Sequence, residues 1–276
     1  MEKEYLTISQ FSALSGISRK TLIYYDKIDL FSPKTVTDKG YRMYEEKQLD
    51  TISVIYILRE LGKSIKEIKI YLQERTPEKM LSLFLEEQKQ IDKKISTLQQ
   101  YKDMLEKRIE LTKLADVITV GKLTFIQKEK KPILIGKKIN QQNNEALIDF
   151  YSLIDQQQIV QGFPIGAIIG KNELANGEFS NFSYFYINKS TEDKNQLSIK
   201  PEGCYAVMYD YCDYNKTEKL YQKMLDGLVE NGYEIDGNAY EEYIIDEVAE
   251  KNPEKYLVKV MIKVKNKNEN NSEMVD

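Results

Sequence analysis

At 276 residues, 41% hydrophobic and 30% charged, the chain reads as globular and long enough for two domains rather than as a disordered polymer. Its formal net charge of −4 argues against a protein that coats nucleic acid indiscriminately, although residues 1–75, with 13 Lys/Arg against 11 Asp/Glu, leave room for a local basic face. Histidine is absent, which removes the commonest general base and metal ligand, and Cys204 and Cys212 have no metal-site spacing and fit a reducing compartment.

The N-terminal MEKEYLTISQ lacks the basic-then-apolar layout of a signal peptide. No apolar run approaches the roughly 18 residues of a spanning helix. A cytoplasmic protein with no membrane partner is expected. Thr7 followed by Gln10 is a capping-box pattern and predicts a helix from near Ile8, with Ile8, Phe11, Ala13 and Leu14 as its apolar face and Gly16 as its stop. Ser18 caps a second helix with Leu22, Tyr25 and Ile28 inward. Two short helices joined by SGIS form a helix-turn-helix that ends at Pro33. KTVTDKGYRMY follows, with Asp38-Lys39-Gly40 as a turn between two short strands, and predicts a hairpin wing. A third helix is expected from about Glu46 to Leu61, with Ile52, Ile55, Leu58 and Leu61 as its stripe and Gly62 at its end. Ser64 and Glu67 make a second capping box and open a fourth helix, Ile65 to about Gln73. From Pro77 to about Val117 the pattern is one unbroken helix. Phe84, Ile91, Leu98 and Leu105 repeat every seven residues, with Ile95 and Ile109 between them, which predicts a coiled coil roughly 60 Å long.

Beyond Thr119 the texture changes. Strand-like runs at Leu123–Gln127, Ile133–Ile139, Ile165–Ile169, Phe182–Ile187, Cys204–Tyr211, Tyr240–Asp246 and Tyr256–Val264 alternate with helices near Asn144–Gln157 and Lys216–Asn231. The order strand-helix-strand-strand occurs twice, which reads as an internal repeat in an α+β domain. The tail KNKNENNSEMVD has no apolar content and is expected to be disordered. The fold class is therefore mixed, α + α/β. It comprises an N-terminal winged helix-turn-helix (1–75), a long coiled-coil helix (76–118), a duplicated α+β domain (119–265) and a tail (266–276).

A helix-turn-helix offers the start of its second helix to the major groove. Ser18, Arg19, Lys20 and Thr21 lie there. Arg19 can reach guanine edges or phosphate, and the hydroxyls can hydrogen-bond phosphates or bases. Tyr24, one turn on, can reach the backbone. Lys39, Tyr41 and Arg42 belong to the wing, while Thr7, Lys63 and Ser64 sit at helix starts, the last two beside a free helix dipole for a phosphate. The alternative for such residues is a solvated helix face.

The segments TISQFSALSGISRKTLIYYDKIDL, GYRMYEEKQLDTI and LRELGKSIKEIKIYL resemble the MerR family of transcription regulators over about the first 75 residues. The resemblance implies a winged helix-turn-helix, dimerisation through an antiparallel coiled coil, and promoters whose long spacer the protein bends and untwists. It also implies that the tyrosine pair Tyr24-Tyr25 grips the DNA with Tyr25 partly packed inward. RNA polymerase holoenzyme and double-stranded promoter DNA are the implied partners. Two positions depart from the pattern: Ile23 replaces a usual arginine, and Asp29 a usual glycine. The metal-sensing branches carry cysteines at the ends of the long helix; this chain has none there, so no metal site is expected.

The C-terminal region is rich in aromatics. Alternation puts Phe182, Tyr184 and Tyr186 on one face, and Tyr205, Val207 and Tyr209 on another. Such walls suit flat, lipophilic or cationic ligands; plain sheet core is the alternative. The run from PEGCYAVMYDYCDY to PEKYLVKVMIKV resembles the GyrI-like effector domain. That resemblance implies a pocket between two halves, with Phe163, Phe182, Tyr184, Tyr186, Tyr205, Tyr209, Tyr243, Lys259 and Met261 as its expected effector-binding residues and an aromatic or lipophilic small molecule, not a cofactor, as its occupant. Members that bind cations usually have a buried glutamate where Lys259 stands. An inward Lys259 would favour neutral or anionic aromatics; alternatively Lys259 faces solvent and Glu241 or Glu242 enters the pocket.

The expected function is a ligand-responsive regulator that binds a promoter as a homodimer and distorts its spacer. The alternatives are a DNA-binding regulator with a degenerate C-terminal domain, or a small-molecule hydrolase of the kind some GyrI-like domains resemble. Against catalysis stands the lack of histidine and of a Ser or Cys beside a base, and no catalytic residue is expected.

Overall fold

A computed structural model describes residues 5–139, 143–189, 197–214 and 216–267. The chain divides into two compact units, Met1–Ile95 and Ser96–Asp276.

In the first unit, β1 (Leu6–Thr7) leads into α1 (Ile8–Ser15), and α2 (Arg19–Lys27) follows after a tight turn. Both capping patterns form as the sequence predicts. Thr7 and Gln10 make a reciprocal box, and Ser18 accepts from the Thr21 N–H at 3.0 Å. Gly16 closes α1 at φ 72°, a left-handed conformation that suits a residue without Cβ. The wing is β2 (Thr35–Val36) paired antiparallel with β3 (Arg42–Tyr44), and β1 adds a third strand that the sequence did not announce. Then come α3 (Gln48–Glu60) and α4 (Ile65–Glu74), the latter opened by the Ser64–Glu67 box. Phe11, Leu22, Phe31, Tyr44, Ile52 and Ile55 make the core, and Tyr25 packs against it half-buried. Asp29, standing where glycine is usual, adopts φ 51°; aspartate is one of the few side chains that tolerate this region.

The helix α5 (Pro77–Ala115) is continuous over 39 residues. Ile95, Leu98, Leu105 and Ile109 along its stripe are exposed.

The second unit carries an eight-stranded antiparallel sheet. Its strands are β4 (Thr124–Lys128), β5 (Lys131–Ile135), β6 (Ile165–Ile169), β7 (Tyr184–Ile187), β8 (Leu197–Lys200), β9 (Gly203–Tyr211), β10 (Tyr233–Ile245) and β11 (Leu257–Asn266), in the order β4-β9-β11-β10-β6-β7-β5-β8. The helices are α6 (Asn143–Gln156), α7 (Lys171–Ala175) and α8 (Glu218–Glu230). The repeat is present as β5-α6-β6-β7 and β9-α8-β10-β11, with β4, α7 and β8 as additions. Strand β11 extends through Asn266, the first residue of the expected tail; residues 268–276 lie outside the described residues.

Strand alternation sorts the core onto two faces. On one face, α8 lays Leu220, Tyr221, Met224 and Leu228 against Ala206, Met208, Val258, Val260 and Ile262, while α6 lays Phe150 and Ile154 against Leu134 and Ile187. The opposite face gathers Ile133, Ile168, Tyr186, Tyr205, Val207, Tyr240 and Met261. A flat sheet would separate β9 from β8 by six strand spacings, roughly 29 Å. Yet the Lys200 ammonium on β8 lies 5.7 Å from the Tyr205 ring on β9. The sheet therefore curls, with the aromatic face on its inside. This corrects the expected assignment of the Tyr184–Tyr186 and Tyr205–Tyr209 sets to different faces: both line the inner one.

Candidate functional site

On the first unit, Arg19 and Lys20 are exposed in the first turn of α2, and Tyr24 is exposed one turn further. The hydroxyls of Ser18 and Thr21 bond each other at 2.7 Å while Ser18 caps the helix, so both are fixed by the turn they open. Lys39 and Tyr41 project from the wing tip, where Gly40 at φ 82° turns the chain. Arg42 is engaged: its Nε donates to Asp26 Oδ2 at 2.8 Å, which ties the wing to α2. Thr7 is likewise occupied by its capping box.

At the start of α4 the expected free helix dipole is not free. Glu67 Oε2 accepts from the Ser64 N–H at 2.8 Å and from the Ser64 hydroxyl at 2.6 Å. Lys63 is turned to Glu87, its Nζ 2.8 Å from the buried carboxylate, and this bond raises the lysine pKa. A phosphate contact by Lys63 would require breaking that pair.

On the second unit, the inner sheet face centres on Glu242 of β10. Its Oε1 accepts from the Tyr186 hydroxyl at 2.5 Å and from Asn188 Nδ2 at 2.8 Å; its Oε2 accepts from Lys259 Nζ at 3.0 Å. Burial alone would raise the carboxyl pKa. The ammonium groups of Lys259 and Lys200 and these hydrogen bonds outweigh burial and hold it well below the usual carboxylate range. Lys259 thus points inward rather than to solvent, and Glu242, the acid the alternative offered, shares its site.

The expected effector residues divide. Tyr184, Tyr186, Tyr205, Tyr209, Lys259 and Met261 come together on or beside the inner face. Phe182 precedes β7 and packs in the core on the α8 side. Tyr243 also points to that side, with its hydroxyl on the Asp213 carbonyl and its ring against Tyr214 and Tyr256, because β10 alternates and Glu242 takes the inner direction. Phe163 packs with α6-side residues under the Lys189 ammonium, and lines a small cavity beside Glu242 with Asn188, Gly166 and Leu111. Three residues were missed: Tyr240, which carried no signal beyond strand composition, and Asn188 and Lys200, which fall outside every expected strand. Tyr240 sits edge-on to Tyr186 and Tyr205, with ring centroids 5.7 and 6.2 Å away. Its neighbour Glu241 faces the other way, accepting from the Tyr221 hydroxyl at 3.1 Å; burial pushes its carboxyl up to about 7 despite the hydrogen bonds from Tyr221 and Thr217.

The second unit also holds the C-terminal part of α5. Arg108 pairs with Asp246, four residues beyond Glu242, and donates through Nε to the Gly162 carbonyl at 3.2 Å; Leu111 packs with Ile244 and Leu257. The strand that carries Glu242 is therefore tied directly to the long helix.

Residues 6–75 match the family model described as MerR HTH family regulatory protein, and residues 137–265 match the GyrI-like small molecule binding domain. The multidrug-efflux transporter 2 regulator of Bacillus subtilis (strain 168) is 33% identical over 95% of this chain and 97% of that protein. The multidrug-efflux transporter 1 regulator of the same bacterium is 25% identical over 96% of this chain and 99% of that protein. Among solved structures, the cryo-EM structure of the EcmrR–DNA complex in EcmrR-RPo matches at 20% identity with a TM-score of 0.40, over 95% of this chain and 100% of that one. With a DNA-reading family model over its first unit, a small-molecule family model over its second, and a relative one-third identical along nearly its whole length, the chain belongs to the MerR HTH family of regulatory proteins and is a ligand-responsive transcription regulator with a GyrI-like small molecule binding domain.

Proposed function

We infer that the protein acts in the cytoplasm as a homodimer on double-stranded promoter DNA, and that an aromatic or lipophilic effector on the inner sheet face changes how the promoter is presented to RNA polymerase holoenzyme. The observation that carries the DNA reading is the row Arg19, Lys20 and Tyr24 on α2, beside a wing tip of Lys39 and Tyr41, with the two elements tied by Arg42 and Asp26. Three cations and two phenols held by a fixed helix-turn-helix and wing suit phosphate and base-edge contact. Dimerisation is supported by the exposed apolar stripe of α5, which a second copy can cover at a gain of roughly 1.5–3 kcal/mol per fully buried side chain. The effector reading is supported by an inner face that combines three tyrosines with a carboxylate and two lysines. Both of these Bacillus subtilis relatives are named as multidrug-efflux transporter regulators, which favours lipophilic effectors.

No catalytic role is proposed. Burial raises the Cys212 thiol to about 11, so the thiolate a nucleophile needs is scarce at neutral pH. The test is selection of an operator from fragmented genomic DNA by the full-length protein, followed by footprinting. A palindromic site protected by the wild type, and lost with Arg19→Ala and Tyr24→Phe combined, is the expected result. Failure to enrich any sequence would overturn the DNA reading.

A further inference from the structure

Lys200 ends β8, an edge strand that among the described residues pairs with β5 alone, and one of the strand's four partners there is Pro132, which has no N–H to give the ladder. Its side chain is only 9% exposed and runs inward across the curl. The ammonium stops 4.1 Å from the centroid of Tyr240, 5.7 Å from Tyr205 and 5.9 Å from Tyr186. Its closest polar neighbours among the described residues are Met261 Sδ at 3.8 Å and Glu242 Oε1 at 3.9 Å. An ammonium carries three donors, and a thioether is a weak acceptor. Here is a buried amine inside an aromatic cage, its pKa pushed down to about 7 by burial, with no described oxygen within hydrogen-bond reach.

Glu242 does not need this lysine. Tyr186, Asn188 and Lys259 already satisfy both carboxylate oxygens. The face therefore holds one carboxylate against two ammonium groups, and Lys128 and Lys131 add to the positive field at the same end. A cationic ligand entering the cage would meet Lys200 in its seat and a carboxylate already neutralised. An aromatic acid would meet the reverse: rings to stack on and an ammonium short of an acceptor.

We propose that Lys200 is a tethered ammonium that occupies the aromatic cage in the unliganded protein, and that the effector is a planar aromatic carboxylate whose ring takes the place of the lysine side chain between the tyrosines while its carboxylate pairs with Lys200 and Lys259. The proposal rests on reading the inner sheet face as the effector site. The weak edge pairing of β8 lets the lysine withdraw without breaking the sheet elsewhere. Lys200 then sets specificity in two ways: it repels cations from the cage and it binds the acid.

The experiment uses the full-length protein and three probes of one shape: 1-naphthoate, 1-naphthamide and 1-naphthylmethylamine, titrated by calorimetry at pH 6.5. Wild type should bind naphthoate at least about tenfold more tightly than the amine, as expected for one charge-assisted contact. Lys200→Met, which keeps the stem volume, should lose that tenfold and gain affinity for the amine; Lys200→Arg should retain the acid preference. Tyr240→Ala should weaken naphthoate, and all variants are first matched to wild type by circular dichroism. If the amine binds wild type as well as the acid does, or Lys200→Met leaves naphthoate unchanged while Tyr240→Ala abolishes it, the effector site stands and the role of Lys200 is overturned. If no probe binds any form, both readings fall.

Discussion

Glu242 on β10 and Lys259 on β11 are direct partners in the antiparallel ladder, and their side chains meet at 3.0 Å on the inner face of the sheet. Both are largely buried, so neither carboxylate nor ammonium can exchange its partner for bulk water. Breaking a buried pair from one side is expected to destabilise by about 3–5 kcal/mol. Glu242→Gln should be worse than Lys259→Met, because it leaves two ammonium groups unopposed whereas the lysine variant leaves Glu242 with Tyr186, Asn188 and Lys200. The folded carboxyl is held below its unfolded pKa, so its contribution is full above about 4.5 and is lost as pH falls further. Urea melts of the three proteins at pH 7 and pH 4 check this: the penalty of Glu242→Gln should shrink at the lower pH.

The adjacent Glu241 gives the opposite sign. Burial lifts its carboxyl to about 7, above the unfolded value of 4.5. Between these pH values the folded state holds a proton that the unfolded state releases, so stability falls as pH rises through this window and stays reduced above it. Glu241→Gln keeps a polar group for Tyr221 and removes the penalty. It should stabilise the protein by on the order of 1–3 kcal/mol at pH 8 and by nothing measurable at pH 4, as thermal melts would read.

Along α5, Leu98 and Leu105 are 65% and 56% exposed in the protomer. Aspartate at both should leave each chain folded yet yield monomers in sedimentation, with operator binding lost. A dimer that survives the double substitution would move the interface elsewhere.

Arg19→Ala should weaken operator binding by about 1–3 kcal/mol and relax base preference, with no change in thermal stability, since its side chain is exposed at the helix start. Arg42→Ala should lower binding and stability together, because it also severs the wing from Asp26. Anisotropy titrations on matched and mutated operators separate the two.

Local chemistry explains what could be read in advance. Thr7 with Gln10 and Ser64 with Glu67 each act within one turn, so sequence spacing was enough to find them. The heptads of α5 and the strand-helix-strand-strand repeat are similarly local. What escaped was set by distant contacts. The expected strand Tyr240–Asp246 is only the second half of β10, which starts at Tyr233 and absorbs Asp236-Gly237-Asn238 as a register shift against β11 between Ile235 and Ala239. Alternation showed that Tyr205 shares a face with Val207; it could not show that the curl of the sheet turns that face toward Tyr186. Lys200 was hidden for the same reason, since nothing near it in the chain marks the strand end as reaching Tyr240 and Met261, 40 and 61 residues on. The Lys63–Glu87 pair joins residues 24 apart and was equally invisible.

Control of a promoter from the inner sheet face is tested most directly by run-off transcription. RNA polymerase holoenzyme would transcribe from the selected operator with the full-length protein, with and without saturating 1-naphthoate, while anisotropy follows DNA occupancy. Transcript yield should change several-fold with the protein still on its operator, and Tyr240→Ala should bind the same DNA without responding. An unchanged transcript from wild type, with calorimetry showing the site filled, would contradict that control.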